Sequence, residues 1–225
     1  MSHTDSLHAR AEAAGRPGAD EAVSIYDRFT GLYDLMFRVN RYRHSVERYL
    51  RARPLHLPAG ARVLDAGCGT GLLTLALLRV LDLPACITAV DLSAASLHTA
   101  RRAAAREPAR QRHAVHFARA DALALPFPDG SFDLVVTSGV LEYLPLAEGM
   151  RELARVVAPG GYFFHLPVEP SPATRLLELM FRFKAHPPRE VHANTARHFR
   201  VIERHRFPPL EPISWTKTAV LAQKL

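Results

Sequence analysis

Residues 64–73 read LDAGCGTGLL, with glycine at 67, 69 and 71. The apolar pair Val63-Leu64 precedes them and Leu72-Leu73 follows. An apolar strand that runs straight into a glycine loop and then a helix is the start of an open α/β sheet. Glycine permits positive φ and has no Cβ to hold a ligand away. The helix that begins at residue 71 offers unpaired N–H groups and a positive dipole end. The loop therefore suits a ligand that carries an anionic group. It is not the dinucleotide fingerprint, because position 72 is leucine where a third glycine would stand, and the Gly-Lys-Ser/Thr of a phosphate loop is absent.

Working outward, strand and helix patterns alternate. Residues 62–65, 86–91, 115–119, 132–137 and 162–166 read as short strands. Helical stretches at 71–80, 93–106 and 145–157 separate them, with Ser93 as an N-cap and Pro159-Gly160-Gly161 as a turn. Such alternation argues for a parallel sheet with helices on both faces. Residues 199–206 and 213–223 also read as strands, with only a proline-bearing gap between them. Two strands joined so tightly run antiparallel. The expectation is a Rossmann-like α/β fold: a seven-stranded, mostly parallel sheet whose last strand is antiparallel.

Two more acids sit at strand ends. Asp91 closes the second strand, where an acid can accept both hydroxyls of a ribose, and Asp121 follows the third. Taken singly, Asp65 and Asp91 also fit as caps of the helices that follow them.

Composition bounds the rest. The chain has 225 residues, enough for one domain with a sizeable core, and 48% of them are hydrophobic. The first residues lack the apolar core of a secretory signal, and no run approaches the roughly 18 apolar residues that cross a bilayer. Residues 1–20 read as a disordered polar tail, and 21–225 as one domain. The two cysteines, Cys68 and Cys86, form no CxxC pair, so neither a disulfide framework nor a metal site is implied. A reducing, cytoplasmic setting follows. The net charge is +7, and only Lys184, Lys217 and Lys224 among the 29 basic residues are lysines. A basic field attracts phosphate, nucleic acid or an anionic membrane, and a solvated arginine-rich face gives the same count.

VLDAGCGTG, AVDLS, ARADALALPFPDGSFDLVVTSGVLEYLP and RVVAPGGYFFHLPV occur in this order and spacing, and together they resemble the class I S-adenosylmethionine-dependent methyltransferases. The resemblance implies S-adenosylmethionine as cofactor. It places Gly67, Gly69 and Gly71 against the methionine part and Asp65 on its amino group. Asp91 then holds the ribose, Leu92 packs on the adenine, Asp121 and Ala122 face the adenine edge, and Ser138 lies beside the methionine chain. The opening SIYDRFTGLYDLMF resembles that of quinone-type and phospholipid-type members. This implies a helical lid over 21–50 in which Tyr26 and Tyr33 close on the methionine moiety. An amphipathic helix packing its aromatics into the core reads the same way.

The acceptor side is less defined. Tyr143 and His165 are the candidates for contact with the acceptor or its proton, and both types also occur there as packed side chains. The helix at 172–184, within an acceptor-side insertion over 172–186, carries Leu177, Met180, Phe181 and Phe183 with Arg175, Arg182 and Lys184. It fits a pocket wall, a lipid surface or a buried position. Within the superfamily, base methylation goes with Asn/Asp-Pro-Pro-aromatic after the fourth strand, where this chain has Ser138-Gly139-Val140-Leu141. Arginine methylation goes with paired glutamates, and only Glu142 stands there. Clustered acids for a metal are absent as well. The reading is methyl transfer to a small, largely apolar acceptor such as a quinone, a lipid or a secondary-metabolite intermediate. Nucleic-acid methylation, favoured by the arginines at 101, 102, 106, 110, 112 and 119, and a non-catalytic cofactor-binding protein are the alternatives. The acceptor atom and the oligomeric state stay open.

Overall fold

A computed structural model of the chain describes residues 42–53 and 55–225. The expected tail at 1–20, Tyr26, Tyr33 and all but the end of the 21–50 segment lie outside the described residues. That end is helix α1, Tyr42–Arg51. There follow β1 (Ala61–Ala66), α2 (Leu72–Val80), β2 (Ala85–Asp91), α3 (Ala94–Ala105), β3 (Ala114–Arg119) and β4 (Phe132–Ser138). The chain continues through α4 (Leu146–Val156), β5 (Val157–Leu166), α5 (Pro172–Phe181), α6 (Pro188–Ala196), β6 (Phe199–Arg206) and β7 (Thr218–Lys224).

The seven strands make one sheet in the order β3-β2-β1-β4-β5-β7-β6. β1, β2, β3, β4 and β5 pair in parallel, and β7 pairs antiparallel with both β5 and β6. The expected architecture is therefore the observed one. Strand residues alternate between two cores, as the two-residue period requires. Val63, Leu134, Val136, Phe164 and Leu166 pack with α1 and α2, while Leu64, Val135 and Phe163 pack with Met150 and Leu153 of α4 and Val191 of α6. α1 belongs to the first layer, with Tyr49 stacked on Phe164 at 5.5 Å.

Local departures have local causes. The turn at 159–161 lies inside β5, where the register with β4 shifts. Gly160 there has φ +73, and a Cβ on Gly161 would fall 2.9 Å from the Ala158 carbonyl oxygen. α5 stops at Phe181 because Arg182 turns left-handed at φ 50, which ends the expected 172–184 helix early. The expected strand at 213–223 begins only at Thr218, after a short 3-10 turn over Pro212–Trp215. α6 is a helix that the apolar pattern does not announce, since only Val191 and Thr195 of its nine residues are buried.

The order of β1 and β4 matters for function. β1, β2 and β3 run outward on one side, and the chain then crosses back to lay β4 on the other. At such a reversal, the loops leaving the carboxyl ends of the strands separate and open a crevice. The glycine loop sits at this point with Gly67, Gly69 and Gly71 all at positive φ, 70, 52 and 91. A Cβ at Gly67 would also overlap the Val140 side chain, which follows β4.

Gly67→Ala is therefore expected to destabilise the protein by about 2–4 kcal/mol in urea denaturation, from left-handed strain plus overpacking. Adding Val140→Ala is expected to restore only the packing part. A Gly67→Ala protein as stable as the parent would contradict this account of the loop.

Candidate functional site

The sequence-predicted residues after β1, β2, β3 and β4 are brought to one edge of the sheet. Strand pairing sets Ala66 beside Val90 and Thr137, and Asp91 beside Arg119. Asp65, Asp91, Leu92, Asp121, Ala122 and Ser138 all lie at or just beyond these carboxyl ends.

The glycine loop is held from below. Gly67 and Cys68 donate their N–H groups to the Val90 carbonyl at 2.8 and 2.9 Å. Asp91 holds it from the side: one carboxylate oxygen accepts from Gly69 N–H at 2.8 Å, the other from Ser93 N–H at 2.9 Å. Gly71 caps α2 with no side-chain hydrogen bond, so the start of that helix keeps its positive end for another group. Ser93 caps α3, as expected, by accepting from Ser96 N–H at 3.0 Å.

Asp65 is 1% exposed. Its Oδ2 accepts from the Thr74 hydroxyl at 2.5 Å, and its Oδ1 is buried with no partner among the described residues. Burial, reinforced by the charge of Asp91, pushes its pKa up to about 7 despite the Thr74 bond. A buried carboxylate oxygen left without a donor is costly unless a ligand supplies one. An ammonium group would supply both the donor and the opposite charge.

Asp121 is half-buried and accepts from Leu123 N–H at 2.9 Å, Ala122 is buried and Leu92 is half-buried. The Ser138 hydroxyl meets the hydroxyl of Tyr42, from α1, at 2.5 Å. Tyr42 is 3% exposed and close enough to Asp65 and Glu142 to feel both charges, with burial the larger cause of its raised pKa. Sequence reasoning did not find it. Its only signal is an aromatic at the start of the last helical turns before β1, and its partner is 96 residues away.

The two acceptor-side candidates part company. Tyr143 is half-buried on the 3-10 turn Leu141–Tyr143 directly after β4, with its hydroxyl unpartnered among the described residues and its ring 5.8 Å from Phe183. His165 is 1% exposed on the α6 side of the sheet, stacked on Phe163 at 4.8 Å, with Nε2 3.3 Å from the Thr195 hydroxyl. Burial lowers its pKa to about 3, so it stays neutral near pH 7. Its surroundings are those of a packed side chain.

The 172–186 segment closes against this turn. Lys184 N–H donates to the Glu142 carbonyl at 3.1 Å, and the His186 ring is 3.0 Å from the Leu141 carbonyl. On α5, Phe181 faces in while Leu176 and Leu179 face out, 61% and 81% exposed. Among the described residues, no group of His, Cys, Asp and Glu is arranged to hold a metal ion, and no helix is long and apolar enough to cross a membrane.

Comparison with known proteins gives consistent results. Residues 64–165 match the methyltransferase domain family. The chain is 34% identical over 142 residues to a demethylmenaquinone methyltransferase of Lactiplantibacillus plantarum, an alignment that covers 63% of this chain and 56% of that protein. It is 33% identical over 132 residues to a fatty-acid O-methyltransferase of Mycolicibacterium smegmatis, covering 57% of this chain and 44% of that one. The chain thus spans about half the length of these curated relatives. Its fold matches geranyl diphosphate C-methyltransferase from Streptomyces coelicolor A3(2), solved with Mg2+, geranyl diphosphate and S-adenosyl-L-homocysteine. That match has a TM-score of 0.66 at 18% identity and covers 82% of this chain and 80% of the other.

The raised pKa of Asp65 has a measurable sign. Between about pH 4 and about pH 7 the unfolded carboxyl loses its proton while the folded one keeps it, so stability falls as pH rises through this window and then levels off. Asp65→Asn, which preserves the Thr74 contact, is expected to remove this fall, worth on the order of 4 kcal/mol across the window. Urea denaturation of both proteins at a series of pH values measures it, and parallel curves would refute the assignment.

Proposed function

With residues 64–165 a methyltransferase domain of the class I fold, we propose that the chain transfers a methyl group from S-adenosylmethionine to a small, largely apolar acceptor. The observation that carries this reading is the orphaned Oδ1 of Asp65 beside three left-handed glycines: a buried carboxyl oxygen with no partner among the described residues, next to a side-chain-free turn at a helix start. An amino acid's ammonium and carboxylate suit these two features in turn.

In this reading Asp65 receives the ammonium of the methionine part and the Gly67–Gly71 loop lies along it. Asp91, already turned toward the loop, accepts from the ribose hydroxyls. Leu92 and Ala122 flank the adenine, and Asp121 accepts from its edge. Ser138, held by Tyr42, borders the methionine chain. S-adenosylmethionine supplies a methyl on a sulfonium, so the leaving group comes ready-made. What remains for the chain is to align the acceptor and exclude water. Tyr143 and Phe183 supply an aromatic wall for this, and His165 serves the packing of β5 on α6.

The quinone and fatty-acid specificities of the two relatives support an apolar acceptor, as does the apolar character of α5. Acceptors of this kind reside in lipid, and the exposed Leu176 and Leu179 stand among the exposed Arg175, Arg182 and Lys184. This pattern supports peripheral contact with an anionic membrane surface. Two of the arginines that favour the nucleic-acid alternative are tied to the fold's own backbone. Arg101 and Arg119 donate to the carbonyls of Phe117 and Leu92, both at 2.8 Å.

Two experiments test the reading. Asp91→Ala is expected to weaken S-adenosylhomocysteine binding roughly 10–100-fold by calorimetry, because charge-assisted hydrogen bonds are lost. Unchanged affinity would remove the cofactor assignment. In flotation assays the full chain is expected to bind vesicles containing phosphatidylglycerol over pure phosphatidylcholine vesicles. Leu176→Ser with Leu179→Ser is expected to weaken that binding about tenfold or more. Equal binding to both vesicles, or no effect of the substitutions, would exclude lipid contact through α5.

A further inference from the structure

The connection from β6 to β7, residues 207–217, carries two strongly exposed apolar side chains, Leu210 at 95% and Trp215 at 58%. β7 runs antiparallel to both β5 and β6, so β5 and β6 run the same way. β5 is in turn parallel to β4, and β4 to β1. The 207–217 connection therefore leaves the sheet at the carboxyl edge, the edge that carries the glycine loop and the chain leading into α5.

Hydrogen bonds join this connection to the start of α5. The hydroxyl of Ser171, the N-cap of α5, donates to the Trp215 carbonyl at 2.9 Å, and Glu169 N–H donates to the Thr216 carbonyl at 2.8 Å. On α5, Leu176, Leu179 and Met180 stand three and four residues apart, which places them on one face, and all are exposed. Single exposed apolar residues need no explanation, but a group of them on two joined segments marks an interaction surface.

The surrounding charges select the partner. The acids of the two segments are engaged within the fold. Glu169 accepts from the Thr218 hydroxyl at 3.0 Å, Glu178 from Ala185 N–H at 2.7 Å, and Glu211 pairs with Arg48 and accepts from the Ser45 hydroxyl. Arg175, Arg182, Lys184 and Arg206 are exposed on the same segments and at the end of β6. Apolar side chains bordered by cations complement an anionic lipid surface. The indole also suits the headgroup layer, where aromatic rings with one polar atom collect. Its N–H already donates to the Pro209 carbonyl at 3.2 Å, so burying the ring strands no donor.

We propose that Trp215 and Leu210 are membrane anchors that insert beside α5 into an anionic leaflet. The proposal rests on the lipid contact of α5 proposed above and adds a second point of attachment. Two points fix which edge of the protein meets the bilayer: the carboxyl edge of the sheet.

Trp215 is the only tryptophan of the chain, so its emission reports this turn alone. The full chain is mixed with vesicles of phosphatidylglycerol and phosphatidylcholine in equal parts, or with pure phosphatidylcholine vesicles, and binding is followed in parallel by flotation. With the mixed vesicles alone, emission is expected to move to shorter wavelength and to be quenched by phospholipids brominated on their acyl chains. Leu210→Ser, at a side chain that the fold hardly touches, is expected to weaken flotation about tenfold. If the chain floats with the mixed vesicles while emission and quenching stay unchanged, lipid contact runs through α5 alone and the anchor is overturned. A Leu210→Ser chain that floats like the parent also overturns it. So does an emission shift that follows protein concentration without lipid, which would put a second copy of the chain on this surface. If the chain floats with neither vesicle, the membrane reading of α5 falls and the anchor with it.

Discussion

One carboxylate sets the geometry of the glycine-loop edge of the sheet. Asp91 binds Gly69 N–H with one oxygen and Ser93 N–H with the other, tying the turn after β1 to the start of α3. A loop of three left-handed glycines has high intrinsic conformational freedom, which that tie restrains. The tie converts a flexible turn into a preorganised one, so less ordering is left for ligand binding to supply. The arrangement also explains the order of elements around it. α3 must begin where β2 ends, and Ser93 must cap it, for the second oxygen of Asp91 to find its partner.

Asp65 shows the opposite condition. Its carboxylate is fixed by Thr74 yet left with an unmet lone pair in the interior. Native interiors seldom leave such groups unpaired, and those that do are concentrated where something is to be bound. Glu142 repeats the pattern, with one buried oxygen unpartnered among the described residues and its charge also felt by Tyr42.

The sequence was legible where a residue type is forced by local geometry. Glycines 67, 69 and 71 are required by backbone torsion, and Ser93 by a helix start. The apolar runs of β1 and β4 are required by burial on both faces. Legibility ends where the partner is remote. Nothing near Tyr42 points to Ser138, and nothing near Glu142 points to Val168 or Lys217. α6 escaped because its polar residues outnumber the two that face inward. The arginine excess was ambiguous for the same reason. Arg53 pairs with Glu203, Arg48 with Glu211, Arg62 with Asp133 at 3.0 Å and Arg155 with Asp129 at 2.8 Å. Composition cannot tell such internal ties from a surface meant for a partner.

Among the described residues β6 is the last strand of the sheet on its side, and an edge strand is an open template for another chain. Its outward positions are Arg200, Ile202, Arg204 and Arg206, and the inward Glu203 is engaged by Arg53 and Tyr49. Two molecules approaching edge to edge would bring guanidinium rows together before any main-chain bonds could form. The border of the sheet thus carries its own protection against fibre-like growth, and part of the positive charge of the chain has a use unrelated to any ligand.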